Sequence, residues 1–200
     1  LVGNDTGGAI AQIAVTAAPH PQITGLVLTS CDAFEHFPPP ILRPLIIAAR
    51  SAAAFRAALQ PLRTKRGRSF GFGALAHADI DPLVEEWAAP ALARREIQRD
   101  LRELTASLER ASTLAAAARL GALAIPALIA WSADDAFFAL ADGHRLAATI
   151  PDARFELIEH ARTFSMIDQP ERLADLIAGF ASVPAAPGSS GAGEASAASL

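Results

Sequence analysis

The opening of this chain restricts its fold more than any other feature. An apolar pair, Leu1-Val2, runs into Gly3-Asn4-Asp5-Thr6-Gly7-Gly8 and then directly into helix-forming sequence. Glycines crowded around a strand-to-helix junction allow a sharp turn and a close approach of the helix to the sheet. The residues after the turn, Ala9 to Ala17, place Ile10, Ile13 and Ala14 on one helical face. Pro19 and Pro21 then stop the helix. Ile23 to Ser30 is a short β-branched apolar run of the kind that forms a strand buried on both faces.

The same alternation returns near the end of the chain. Ile125–Trp131 and Phe155–Glu159 read as strands, Gly143–Ile150 as a helix, and Pro170–Ala181 as an amphipathic helix with proline in its first turn. Between the two stretches, from about Ile41 to Leu120, the pattern is helical and loop-rich, with helices expected near Ile41–Ala58, Pro82–Ala93 and Glu96–Leu108. Strands that alternate with helices specify a parallel α/β sheet, here with a helical insertion after its first complete strand. At 200 residues and 52% hydrophobic content, the chain has material for one sizeable core. Ser182–Leu200 is Ala, Gly, Ser and Pro without periodicity and reads as a disordered tail.

Gly3-Asn4-Asp5-Thr6-Gly7 also has the spacing G-x-nucleophile-x-G, in which small neighbours let the central side chain project over the sheet. With Asp5 at the centre, a carboxylate can attack an sp³ carbon and form an ester that water later cleaves. The backbone N–H of Thr6 would face the developing negative charge. The same pattern also fits an aspartate that only caps the following helix.

With the downstream elements in this order, the chain resembles the α/β-hydrolase superfamily, on the side of the haloalkane dehalogenases and epoxide hydrolases that use an Asp nucleophile. The resemblance rests on Gly3–Gly8, Ile125–Trp131, Ser132-Ala133-Asp134-Asp135 and Asp168-Gln169-Pro170-Glu171-Arg172-Leu173, and covers about Leu1 to Ala181. It implies a partial α/β-hydrolase fold: an edge of a parallel sheet with a helical cap insertion. Residues 1–33 would supply the elbow, helix and following strand, 34–120 the cap, 121–181 the C-terminal part of the core, and 182–200 the tail. Since the chain opens at the elbow without an initiator Met, the expectation is a C-terminal fragment. It would lack the preceding strands and the other half of the oxyanion hole, and would be inactive alone.

The resemblance implies an acid after the second of the apolar strands, at Asp135, with Ser132 where relatives have glycine; Asp32 is a second place for this acid. Both aspartates at 134 and 135 also suit a plain turn. The base should be a histidine five residues before Asp168, and that position is Thr163. Threonine is no general base near neutral pH. His160, three residues earlier, could reach the site through a remodelled loop, since three extended residues span ~10 Å; otherwise the base is lost and the chain is a non-catalytic homologue binding a small apolar ligand. His20, His36, His77 and His144 read as surface or capping residues.

Substrate chemistry is narrowed by what is absent. The chain has no Tyr, whereas the epoxide hydrolases it resembles use cap tyrosines to protonate the epoxide oxygen. Thr6 stands where the dehalogenases have a halide-binding Trp. Trp131 reads as core and Trp87 as cap, either pocket wall or packing. The expected partner is a small, largely apolar substrate, with no cofactor and no metal, because no histidine pair has ligand spacing. A net charge of −4 argues against nucleic acid. The basic run Arg63, Lys65, Arg66 and Arg68 reads as a solvated loop. No stretch reads as a membrane span or a signal peptide, and the single cysteine, Cys31, suits a reducing, cytoplasmic compartment.

Overall fold

The computed structural model describes residues 1–18 and 20–182; the tail expected from Ser182 onward lies, beyond that residue, outside the described part. Four parallel strands, β1 (Val2–Asp5), β2 (Leu26–Cys31), β3 (Ala127–Ser132) and β4 (Ala153–Ile158), form one sheet in the order β1-β2-β3-β4. Successive residues of a strand face opposite sides, and β2 and β3 are buried throughout. Leu26, Leu28, Ile129 and Trp131 therefore point to one side, and Val27, Leu128 and Ala130 to the other.

Helix α1 (Thr6–Ala17) connects β1 to β2 and sends Ala11 and Val15 into the first of these cores. The second core is covered by the C-terminal helix α9 (Pro170–Ala181), through Leu173 and Leu176. Between β3 and β4 lies α8 (Leu140–Thr149), with Leu146 in the first core. It lies so close to the sheet that a Cβ on Gly143 would sit 2.6 Å from the Trp131 ring. Trp131 is wholly buried, and its indole N–H donates to the Phe138 carbonyl at 3.1 Å.

Between β2 and β3 the chain is helical: α2 (Arg43–Ala48), α3 (Ala52–Leu59), α4 (Lys65–Phe72), α5 (Asp81–Ala93), α6 (Arg95–Ala106) and α7 (Arg110–Leu120). The single helix expected over Ile41–Ala58 is split because Ser51 adopts an extended conformation and caps α3 through its hydroxyl. The last of these helices, α7, packs on α1 and delivers Leu120 to the sheet core. The others form separate small cores: Ala49, Phe55 and Leu59 in one, and Leu75, Ala76, Ile80 and Val84 with Phe164 in another.

The basic run is helical rather than a loop: Arg63 ends a 3-10 turn, Lys65 and Arg66 are exposed on α4, and Arg68 of α4 is 5% exposed and clasps Asp81 with two nitrogens at 2.8 and 3.0 Å. A buried guanidinium needs such a two-point partner to offset its lost hydration. Aspartate thirteen residues away gave no local sign of the pairing.

The junction of β1 and α1 is the tightest place in the fold. A Cβ on Gly8 would fall 2.3 Å from Cys31 Cβ and 2.6 Å from its sulfur, and one on Gly3 would fall 2.7 Å from the Cα of Gly8. Gly7 faces open space. Gly8→Ala should therefore lower stability by about 1–3 kcal/mol. Gly7→Ala should leave it unchanged or raise it by up to about 1 kcal/mol, through better helix propensity. Urea unfolding of the two variants beside the parent chain checks this contrast.

Candidate active site

The four strands end at the same edge of the sheet, and the chemistry-bearing residues lie in the turns that follow them, as ligand sites do in open parallel sheets. Asp5 closes β1 with φ 53 and ψ −135, a conformation that costs a non-glycine residue about 1–3 kcal/mol. Its Oδ1 accepts the N–H of Thr6 at 2.6 Å and lies 3.2 Å from the Thr6 hydroxyl. The aspartate thus does cap α1, and the same bond leaves its second oxygen without a hydrogen bond among the described residues. Burial pushes the Asp5 carboxyl above its ordinary value; the Thr6 bonds pull the other way, and the charge of Asp135 adds to the rise.

Asp32 follows β2 directly beside this turn. Cys31 is the register partner of Asp5, and the Asp32 N–H donates to the Asp5 carbonyl at 3.3 Å. Gln12 of α1 holds the Asp32 carbonyl at 2.9 Å. The Asp32 side chain is almost wholly buried, with Oδ2 3.0 Å from the Thr6 hydroxyl. Burial first, and then the charge of Asp5, push its carboxyl up to about 7. Cys31 packs behind it, its thiol pushed well up by burial.

Asp135, in the turn after β3, accepts the N–H groups of Phe137 and Phe138 at 2.8 and 2.9 Å and the Thr163 hydroxyl at 3.0 Å, all on Oδ1. Its Oδ2 is buried without a partner. Thr163, fully buried, thus stands against Asp135 where the resemblance implies a histidine. His160 does not join them. It is exposed in the turn after β4 with φ 55, and its ring makes no hydrogen bond among the described residues. Three hydrogen bonds hold the loop in that register. Asp134 N–H donates to Ala161 O at 2.9 Å, Asn4 Nδ2 to Thr163 O at 2.8 Å, and Arg162 N–H to Asp168 Oδ2 at 2.9 Å.

Two contributions escaped the sequence reading. Asn4 donates from its amide to Thr29 and Ser30 carbonyls as well as to Thr163, tying the elbow to β2 and to the loop after β4. Its place inside the G-x-D motif was the available signal. His36 pairs with Asp142 at 2.8 Å and His77 with Asp134 at 2.9 Å, across 106 and 57 residues, so spacing could not reveal them. His20 accepts the Gln22 N–H, and His144 stacks on Phe155. Trp87 is half-exposed and meets the Phe164 ring edge-on. A cleft of about 330 Å³ reaches Asp32 between Cys31, His36, Phe137, Phe138 and Asp142. Among the described residues no group of three or more His, Cys, Asp or Glu is placed to hold a metal ion, and no helix is long and apolar enough to cross a membrane.

A parallel sheet with helices on both faces, a strained residue at the first strand-to-helix turn and a helical insertion after the second strand make up a partial α/β-hydrolase fold. Solved structures with this fold match the chain along most of its length. An α/β-hydrolase fold protein from Burkholderia ambifaria superposes with a TM-score of 0.69 at 21% identity, over 88% of this chain and 63% of its own. The enol-lactonase of Burkholderia xenovorans LB400 gives 0.62 at 20% identity, over 91% and 65%. An ancestral haloalkane dehalogenase gives 0.68 at 17% identity, over 90% and 66%. The chain thus spans under two thirds of the length of the first of these structures. No family model matches the sequence, and no curated protein is significantly similar to it.

A carboxyl whose folded pKa is raised keeps its proton in the native state after the unfolded chain has lost it, so stability falls as pH rises from the ordinary carboxylate range through about 7. Exposed carboxylates held low by backbone N–H bonds and then by ion pairs, such as Asp79 and Glu96, finish titrating below that range. The urea midpoint should therefore decline between about pH 5.5 and 8, and Asp32→Asn should remove most of the decline.

Proposed function

We propose that this chain carries the nucleophile of an α/β-hydrolase-type hydrolase, in which Asp5 attacks a small, largely apolar substrate and the resulting ester is cleaved by water. The observation that carries this reading is the strained Asp5 itself, with Oδ1 fixed on the Thr6 N–H and Oδ2 without a hydrogen bond among the described residues. Attack through Oδ2 would turn Oδ1 into the ester carbonyl oxygen, already hydrogen-bonded. When water adds to that carbonyl, negative charge grows on Oδ1 against the Thr6 N–H at the start of α1, the arrangement that stabilises an oxyanion. Asp135 would tune the site through its charge. The helices after β2 would act as the cap that walls off the substrate. The single free, buried cysteine supports a reducing, cytoplasmic setting.

A second reading is a non-catalytic homologue that binds a small apolar ligand. The observation in its favour is Thr163, buried and bonded to Asp135 where a base should stand.

Incubation of the protein with haloalkanes, epoxides and activated esters, followed by peptide mass spectrometry, separates the two. The expected result is a covalent adduct on the peptide containing Asp5, with turnover reduced at least about 10³-fold in Asp5→Asn, as for other nucleophile deletions. His160→Ala should leave turnover unchanged, because its ring stands exposed and unbonded. Binding without any adduct would favour the second reading.

A further inference from the structure

A hydrolase that works through an aspartyl ester needs a group to activate water, and neither Thr163 nor the exposed His160 supplies one. The buried carboxyl next to the nucleophile does have the position. Thr6 Oγ1 lies 3.2 Å from Asp5 Oδ1 and 3.0 Å from Asp32 Oδ2. A hydroxyl has one proton to donate, so it can serve only one of two carboxylates. A proton on Asp32 would let both contacts be hydrogen bonds, with Thr6 donating to Asp5 and accepting from Asp32. Like charges this close in a buried setting favour one extra proton on the line Asp5–Thr6–Asp32.

The surroundings decide which carboxyl keeps it. Asp5 accepts a 2.6 Å bond from the Thr6 N–H at the N-terminus of α1, which favours its charged form. Asp32 has no cationic partner among the described residues, and its side-chain hydrogen bond is to Thr6. The cleft of about 330 Å³ between the β2 and β3 turns reaches Asp32, so a small molecule or water can approach the acid.

We propose that Asp32 is the acid–base catalyst of this site and that it suits substrates with an oxygen leaving group, such as small apolar epoxides. The proposal rests on the reading of Asp5 as nucleophile. In the first step Asp5 Oδ2 bonds to the substrate carbon, the carbon–oxygen bond of the ring breaks, and the departing oxygen takes the proton of Asp32. Asp32 is then a carboxylate beside the new ester. In the second step it takes a proton from the water that adds to the Asp5 carbonyl carbon. Collapse breaks the acyl–oxygen bond and releases the diol. Of the two water protons, one leaves on the diol and one remains on Asp32, so both aspartates return to their starting states. An acid here compensates for the missing tyrosines, and a halide leaving group would have no use for it.

The burial that pushes Asp32 up to about 7 keeps enough of it protonated at neutral pH for the first step and makes its conjugate base strong enough for the second. The other titratable or charged groups around it are Asp5 on β1, Cys31 on β2, Glu35 and His36 in the next turn, Arg43 on α2, Arg110 on α7, and Asp135 and Asp142 after β3.

The test compares wild-type protein, Asp32→Asn and Asp32→Glu with a small epoxide and a bromoalkane, following the Asp5 adduct by mass spectrometry and diol release by chromatography. With the bromoalkane, Asp32→Asn should form the adduct at the wild-type rate and fail to release it. With the epoxide, its adduct formation should slow by about 10²–10⁴-fold, the usual span of general acid catalysis, and Asp32→Glu should recover part of the loss. Single-turnover epoxide opening by the wild-type protein should fall as pH rises past about 7; this measurement stands even if the variants fold poorly. Wild-type rates for both substrates in Asp32→Asn, or a flat pH profile above neutrality, would overturn the role of Asp32 while leaving Asp5 in place. Absence of any wild-type adduct with either substrate would overturn the nucleophile reading, and this inference with it.

Discussion

Asp5 can hold a positive φ because the chain around it is almost bare of side chains. Gly3 and Gly8 let the end of β1, the start of α1 and Cys31 of β2 come within distances that no Cβ would permit. That approach brings the Asp32 N–H to the Asp5 carbonyl and the Thr6 hydroxyl between two carboxyls. Gln12, one helical turn beyond Gly8, completes the clamp by bonding both the Gly8 and the Asp32 carbonyls. Backbone strain at one residue is thus supported by close packing on three sides, which is how strained conformations persist at sites of chemistry.

The turn collects negative charge, and no cation bonds to it among the described residues. Asp5, Asp32 and Asp135 are met mainly by N–H and O–H donors, and one oxygen of Asp135 is buried with no partner. Where a histidine would have both accepted a proton and spread positive charge among these carboxylates, Thr163 offers only a hydroxyl. A site of this kind must hold a proton on one of its acids near neutral pH, because desolvated like charges cannot all be ionised together. Two arginines that could offset such charge are engaged with other carboxylates: Arg68 with Asp81 inside the insertion, and Arg145 with Glu35 at the surface.

Much of the fold was legible because its signals are local. Short continuous apolar runs, prolines at helix boundaries and glycines at the elbow each follow from a few neighbouring residues. The parallel sheet, the helical stretch between β2 and β3 and the helix after Pro170 could be read in this way. Errors arose where a single residue reset the local structure, as Ser51 did in splitting one expected helix, or where a partner was remote, as Asp81 is for Arg68.

The sequence by itself determined that a carboxylate stands at a glycine-lined strand-to-helix turn, that aspartates follow the next two strands, and that a threonine occupies the position of the expected base. These are statements about residue type and spacing, which a linear chain states completely. Only the tertiary structure decided which groups meet. The loop after β4, fixed by bonds to Asn4, Asp134 and Asp168, turns Thr163 inward and leaves His160 in solvent. The pairing of β1 with β2 sets Asp32 against Thr6 and Asp5. Contacts between residues far apart in the chain depend on strand register and loop closure, and no short stretch of sequence encodes either one.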